Sequence, residues 1–434
     1  MRKFLVVAAS SLALAACGMH GQDNETDASN EQSAAAATDY GYETYADDNL
    51  ADTMASNDAM AGKGDAMAGA DDAIPDSEER PIMQAQVVLD RVGFGPGVID
   101  GKMGMSTTNA LNGFQTANNL QVTGKLDDAT KQALAEYDGI AATRVVTIPQ
   151  TWGRETYYKT PDDAEDQAKM QRLGYSSLDE KLAERFHTTV EVLKQLNPNG
   201  RPAGMVATTS GTPSPGATAS ATASPSPTPS ATSSASPSPT PSASGTGFTP
   251  QPGPASYFKP GQQIRVPNIG GDRIAPGAVE DRTWQQTLAS LGVGSEQPQV
   301  DRIVVSKSKD TLKAYQGEKL VAEFTVSSGS SEFPLPIGEW KIVGVAHNPP
   351  YSYSPEVLSG GRKSGESYKL PPGPNGPVGV VWIDLSKEHY GIHGTPDPST
   401  IGRAQSHGCV RLTNWDAARL AQMVSQSTQV IFES

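Results

Sequence analysis

Three observations predict a multidomain chain that ends in a mostly-β domain. Two low-complexity segments divide the 434 residues into compact regions at about 81–138, 153–204 with a continuation at 257–267, and 298–434. The first two regions carry apolar residues at helical spacing, and from Val300 the pattern turns to short alternating runs broken by turn pairs. Each region is long enough for one small core, so several domains fit the length better than one large one.

The first element is MRKFLVVAASSLALAACG, with Arg2 and Lys3 ahead of an apolar run from Phe4 to Ala16 and then Cys17. The run is too short for a bilayer span and small residues precede the break, so residues 1–17 read as an export signal. Leu14-Ala15-Ala16-Cys17 resembles a bacterial lipobox, which implies that Cys17 is lipidated and ties the mature chain to a membrane. Gly18 fits outer-membrane sorting, and the expected location is the periplasm or cell envelope. Cys409 is then the one free thiol in an oxidising compartment, where no disulfide framework is possible.

The net charge of −14 comes from one place: residues 21–80 hold sixteen Asp/Glu against Lys63 and Arg80, and the rest of the chain balances 32 against 32. With no apolar periodicity, residues 18–80 read as a disordered acidic tether, a coil of roughly 45 Å end to end for 60 residues. This balance disfavours nucleic acid as a partner. Residues 205–256, rich in Pro, Ser, Thr and Ala, read as a second, semi-extended linker.

Within 81–138, Ile82, Ala85, Val88, Leu89 and Val92 keep helical step and Gly93 closes that helix. Ser106 or Thr107 is expected to cap a second helix with Leu111 and Phe114 inside, and Asp127 or Asp128 to start a third carrying Leu134. Gly97, Asp100, Gly101, Gly104, Thr107, Ala110, Phe114, Gln115, Leu120, Thr123, Gly124, Asp127, Thr130 and Leu134 fall where the bacterial peptidoglycan-binding domain has its hallmarks, and the region resembles that family. The resemblance implies a small three-helix domain that grips the cell wall.

Residues 153–267 place Leu182, Phe186, Val190, Leu193 and Leu196 on helical faces, stop at Asn197-Pro198, and resume after the linker with FKPGQQIRVPN, a turn and a strand. This resembles an α+β LysM module interrupted by the linker; Tyr157-Tyr158 stands as its opening strand. Long loops cost little closure entropy, so the interruption is compatible with one module.

From Val300, IVVS, LKAY, VAEFTVS, IGEWKIVGVA, VGVVWIDL and GIHG read as strands, and only NWDAARLAQMVSQ in the tail reads as a helix. Strands this dense predict a sandwich or barrel. Cys409 sits in SHGCVRL and His393 ends YGIHG. A cysteine nucleophile needs a base and donors aimed at the developing oxyanion, and these residue types supply both. The other histidines, His20, His187, His347 and His389, lack zinc-ligand spacing, so neither metal nor cofactor is expected. His389 reads as a surface residue, and Trp382 and Tyr390 as packing residues or as the lining of a groove.

IHGT…IG…SHGCVRL, preceded by FPLPIGEW and PPGPNGPVGVVW, resembles the L,D-transpeptidase family with the YkuD-type catalytic domain across about 301–432. The resemblance implies that Cys409 is the nucleophile and His393 the general base and acid, with the Gly394 carbonyl orienting the imidazole. Ser406 and His407 belong to the same signature; His407 is assigned to orienting the turn, and the backbone around His407, Gly408 and Cys409 to the oxyanion hole. Arg411 stands where part of the family has Asn, and its guanidinium suits a stem carboxylate. The implied reaction cleaves the bond between residue 3 and D-Ala of a peptidoglycan tetrapeptide stem and passes the acyl group to an amine of another stem or an anchored protein. Water as acceptor gives an L,D-carboxypeptidase or a crosslink-cleaving amidase, and a vestigial site gives a non-catalytic wall-anchoring lipoprotein. The partners implied are stem peptides, glycan and membrane lipid.

Overall fold

The computed structural model describes residues 74–205 and 248–434, apart from 271, 272, 363, 405 and 407. The signal peptide with Cys17, most of the acidic tether and the centre of the Pro/Ser/Thr linker lie outside the described residues.

Region 81–138 is helical as expected. Helix α1 (Pro81–Arg91) opens with proline in its first turn, where a missing N–H costs nothing. A two-residue strand β1 (Phe94–Gly95), α2 (Met105–Ala117) and α3 (Asp128–Leu134) follow. Asp127 caps α3 by accepting the Thr130 N–H at 2.9 Å. The expected Ser106/Thr107 cap is corrected: α2 starts after Gly104 with no side-chain cap, and Thr107 is instead buried against Gln86. Gln86 accepts from the Gly101 N–H and donates to the Lys102 carbonyl and the Thr107 hydroxyl. Gln115 does the same with Gly124, Lys125 and Thr130. One glutamine per half thus ties a loop to the next helix, so hallmark positions of this region serve the fold.

The second region is a β-α-α-β unit of β2 (Thr143–Thr147), α5 (Leu178–Arg185), α6 (Val190–Leu196) and β3 (Gln263–Pro267), with an extra short helix α4 (Ala164–Ala168) between β2 and α5. Strands β2 and β3 pair antiparallel, Thr143 opposite Pro267, over a core of Val146, Leu182, Phe186, Leu193 and Ile264. The opening strand is therefore TRVVT, ten residues before the expected start at 153. Tyr157-Tyr158 is not a strand; Tyr158 makes one isolated bridge to Pro252. Both low-complexity segments end in docked chain rather than coil. Ile74 accepts from Arg265 Nη2 at 2.7 Å, Asp76 pairs with Arg80 at 3.0 Å, and Leu178 donates its N–H to Ser256 Oγ at 3.0 Å.

Ahead of the last region stands a helix that the sequence reading did not place, α7 (Arg282–Leu291), whose Trp284, Leu288 and Leu291 enter the main core. Strands β4 (Arg302–Ser306), β5 (Thr311–Gln316), β6 (Lys319–Thr325), β7 (Ser327–Ser328), β8 (Gly338–His347) and β9 (Tyr351–Tyr353) follow. Then come α8 (Pro355–Leu358), β10 (Tyr368–Leu370), β11 (Val381–Leu385), β12 (Gly391–His393), β13 (Val410–Arg411), α9 (Asn414–Met423) and β14 (Gln429–Glu433). Ten strands form one mixed sheet in the order β1-β6-β5-β4-β14-β8-β11-β12-β13-β7, and β9 and β10 form a separate hairpin. Only Val326 separates β6 from β7, which stand near opposite ends of that order, so the sheet curls back around its core.

The regions are welded rather than tethered: the described residues belong to one compact unit. Strand β1 extends the sheet by pairing parallel with β6. On the opposite face of α1, buried Asp90 takes Arg419 of α9 in two bonds, Nη1 at 2.9 Å and Nη2 at 2.8 Å. His187, which follows α5, faces Asp90 at 3.3 Å and the Leu291 carbonyl at 2.9 Å while its ring stacks on Trp415, centroids 4.9 Å apart. Helix α9 is thus gripped by both non-catalytic regions.

Candidate active site

Strand β12 lies between β11 and β13, and its register fixes the site. Ile392 pairs with Val410 and His393 with Arg411 in a parallel ladder. Cys409 stands just before Val410, the first residue of β13, and so lies beside Gly391 of the adjacent β12. The sheet sets Arg411 beside His393, and Arg411 is close enough to both His393 and Cys409 to lower the pKa of each. The thiol bonds neither imidazole nitrogen; it points at the Gly391 backbone N–H and donates to the His389 carbonyl at 3.7 Å.

His393 is 4% exposed. Its Nδ1 lies 2.7 Å from the Gly394 carbonyl. A carbonyl only accepts, so Nδ1 carries the hydrogen and Nε2 is left as the acceptor. Burial drives the imidazole pKa down to about 4, Arg411 adds to that, and the Gly394 bond works the other way. Burial pushes the Cys409 thiol up against the lowering effects of the Gly391 N–H and Arg411. At neutral pH the resting pair is therefore a neutral thiol and a neutral imidazole.

The turn before the thiol is held by Ser406, whose hydroxyl donates to the Cys409 carbonyl at 2.5 Å and accepts the Gly408 N–H at 3.2 Å. Gly408 has φ +103°, and a Cβ there would stand 2.5 Å from the Tyr390 ring, so both backbone and space demand glycine. His407 lies outside the described residues. Arg411 is half-buried, with its Nε enclosed and without a hydrogen-bond partner, and no described carboxylate pairs with it.

Three neighbours were not legible as site residues. Trp382, opposite His393 in the β11–β12 pair, stacks its indole on the imidazole at 5.4 Å and 21°, which fixes the ring plane. His389 has an exposed side chain, as expected, but its carbonyl receives the thiol. Tyr351 on β9 lies near Cys409 and Arg411, and burial is the main reason its hydroxyl pKa is raised. Each depends on contacts between residues 11 or more positions apart.

A thiol just ahead of β13 and a neutral imidazole on the adjacent β12 of a curled, mostly-β sheet are the parts of a cysteine acyl-transfer enzyme. Residues 300–432 match the family model for the YkuD L,D-transpeptidase catalytic domain, and residues 79–134 match that for a peptidoglycan binding domain. An L,D-transpeptidase YkuD of Bacillus licheniformis is 32% identical over 164 residues, covering 38% of this chain and 79% of that protein. Its Bacillus subtilis counterpart is 32% identical over 128 residues, covering 30% of this chain and 63% of that protein. The chain belongs to the YkuD-type L,D-transpeptidase family. Among solved structures, L,D-transpeptidase 3 from Mycobacterium tuberculosis in complex with a faropenem-derived adduct shares 20% identity at a TM-score of 0.25, over 32% of this chain and 61% of that one. The family assignment rests on the sequence matches.

Proposed function

We propose that the chain is a cell-wall L,D-transpeptidase in which Cys409 attacks the carbonyl joining residue 3 to D-Ala of a tetrapeptide stem. His393 Nε2 takes the thiol proton as sulfur bonds to carbon. The tetrahedral intermediate collapses to a thioester when Nε2 returns that proton to the departing D-Ala amine. An acceptor amine then attacks the thioester and gives its proton to Nε2, and the thiol is regenerated. The hydrogen bond from His393 Nδ1 to the Gly394 carbonyl carries this reading, because it fixes the tautomer that leaves Nε2 as the proton acceptor.

Because the resting thiol is neutral, proton transfer accompanies attack instead of preceding it. Oxyanion stabilisation falls to the backbone around Gly408 and Cys409, with His407 orienting the turn; the Gly408 N–H is now held by Ser406 and must be released to serve. Arg411, with its enclosed unpartnered Nε, is assigned a stem carboxylate. Region 81–138 and the β-α-α-β unit, whose strand and helix order supports a LysM assignment, hold glycan. Lipid on Cys17 anchors the enzyme in the envelope. The test is to incubate the full chain with disaccharide-tetrapeptide and identify products by mass. Crosslinked dimers are expected from the wild type and none from C409A; tripeptide alone would replace the amine acceptor by water.

A further inference from the structure

The residues that hold the catalytic base in place extend beyond the catalytic region. Asn414, the first residue of α9 and five positions after Cys409, is fully buried. Its Oδ1 accepts the Val380 N–H at 3.3 Å and its Nδ2 donates to the Pro374 carbonyl at 3.1 Å. The carboxamide is wedged between two backbone segments: a Cβ on Gly379 would stand 1.8 Å from Oδ1, and one on Gly394 would stand 2.2 Å from it. Gly394 is the residue whose carbonyl receives the His393 Nδ1–H. The wedge therefore sets where that carbonyl can point. The cap on α9, Thr413 Oγ1 accepting the Asp416 N–H at 3.1 Å, holds the asparagine's own backbone.

On its other side Asn414 meets Glu184 of α5, a residue 230 positions earlier and in the β-α-α-β unit. Glu184 is buried beside the Asn414 side chain, whose polar amide partly offsets the rise that burial gives the Glu184 carboxyl, and its Oε1 has no other hydrogen-bond partner among the described residues. Burial raises its pKa to about 8, so it stands there as a neutral acid at physiological pH. The next α9 residue, Trp415, is clamped by His187 from the same unit.

We infer that Asn414 is a positioning residue for His393, acting through the Gly394 peptide, and that Glu184 holds Asn414, so that the β-α-α-β unit helps to align the base whether or not it binds glycan. This rests on His393 being the base of the proposed reaction. Misplacing a reacting group by about 1 Å costs on the order of 100-fold in rate. Loss of the wedge should therefore lower kcat by roughly 10- to 100-fold and leave KM within about twofold, since neither residue reaches the thiol's face.

The experiment compares full-length wild type, N414A, E184A and E184Q, each checked for cooperative unfolding. One readout does not need turnover: the proton NMR signal of His393 Nδ1–H, assigned by its loss in H393Q and protected from exchange by its carbonyl partner. The signal should persist in wild type and E184Q, and should be lost or exchange rapidly in E184A and N414A. Turnover of disaccharide-tetrapeptide should follow the same order, with E184Q rescuing what E184A loses. A protected signal and a kcat within twofold of wild type in N414A would overturn the positioning role. If N414A does not fold, the same result in E184A overturns the contribution of the β-α-α-β unit. A wild type that shows the protected signal but turns over no stem peptide would refute the proposed reaction and leave the NMR comparison to decide the positioning.

Discussion

Replacing Asp90 by alanine should cost about 3 kcal/mol of stability, although Asp90 is far from Cys409 in the sequence. Its side chain is fully buried, and burial alone would raise its pKa, yet Arg419 and His187 hold the carboxyl well below the usual carboxylate range. Arg419 is nine-tenths buried and would keep only the backbone carbonyl of residue 90, at 3.2 Å, and Asp416, at 3.8 Å. Breaking a buried pair by removing one partner costs about 3–5 kcal/mol, because the remaining charge stays desolvated. The lower end applies here. Burial raises Asp416 to about 7 and the Asp90 charge adds to that, so losing Asp90 lets Asp416 ionise and answer Arg419 in part. Urea unfolding of the full chain, followed by far-UV circular dichroism and by tryptophan emission, is the assay; with an m-value near 3 kcal/mol/M the midpoint should fall by about 1 M. The double variant D90L/R419M, which removes both charges, should recover most of the loss. A loss below about 1 kcal/mol for D90A, or a double variant worse than the single, would refute the view that this pair welds region 81–138 to the catalytic helix.

Further outcomes follow from the buried ionisable groups. Burial raises Glu323, on β6, to about 7 despite Lys313 nearby. The folded chain thus keeps a proton that the unfolded chain releases near pH 4.5, and stability falls as pH rises from about 4.5 to 7. E323Q should remove that slope, matching wild type near pH 4 and exceeding it by about 3 kcal/mol at pH 8 in chemical denaturation. With the Cys409 thiol raised from 9.0, less than about 3% is ionised at pH 7.5. Iodoacetamide labelling followed by mass should therefore climb roughly tenfold per pH unit between 6 and 8, whereas a flat rate from pH 5 would mean a resting thiolate–imidazolium pair.

What the sequence disclosed and what it hid divide along one physical line. Local signals were sufficient for the three helices of 81–138, for the Asp127 cap, and for the strand texture after Val300, since propensity and periodicity act over a few residues. Cys409 and His393 were legible because the residue types and their signature are local. Non-local pairing was not. Strand β14, the last of the chain, inserts between β4 and β8, and β2 finds its partner 116 residues on, across the linker. No local pattern assigns TRVVT to that role in preference to Tyr157-Tyr158. The same holds for Trp382 over His393 and for Glu184 against Asn414: each residue type is ordinary, and only the fold gives it a neighbour to act on. Gln115 marks the reverse case, conspicuous in a motif yet engaged, as Gln86 is in its own half, in tying a loop to a helix.

The account depends most on a covalent bond to one sulfur. Full-length protein mixed with disaccharide-tetrapeptide, quenched in acid at short times and digested, should show the disaccharide-tripeptide acyl group on the peptide that contains Cys409, with one D-Ala released per adduct. D-Ala release with no adduct at any quench time, or an adduct that persists in C409A, would contradict it.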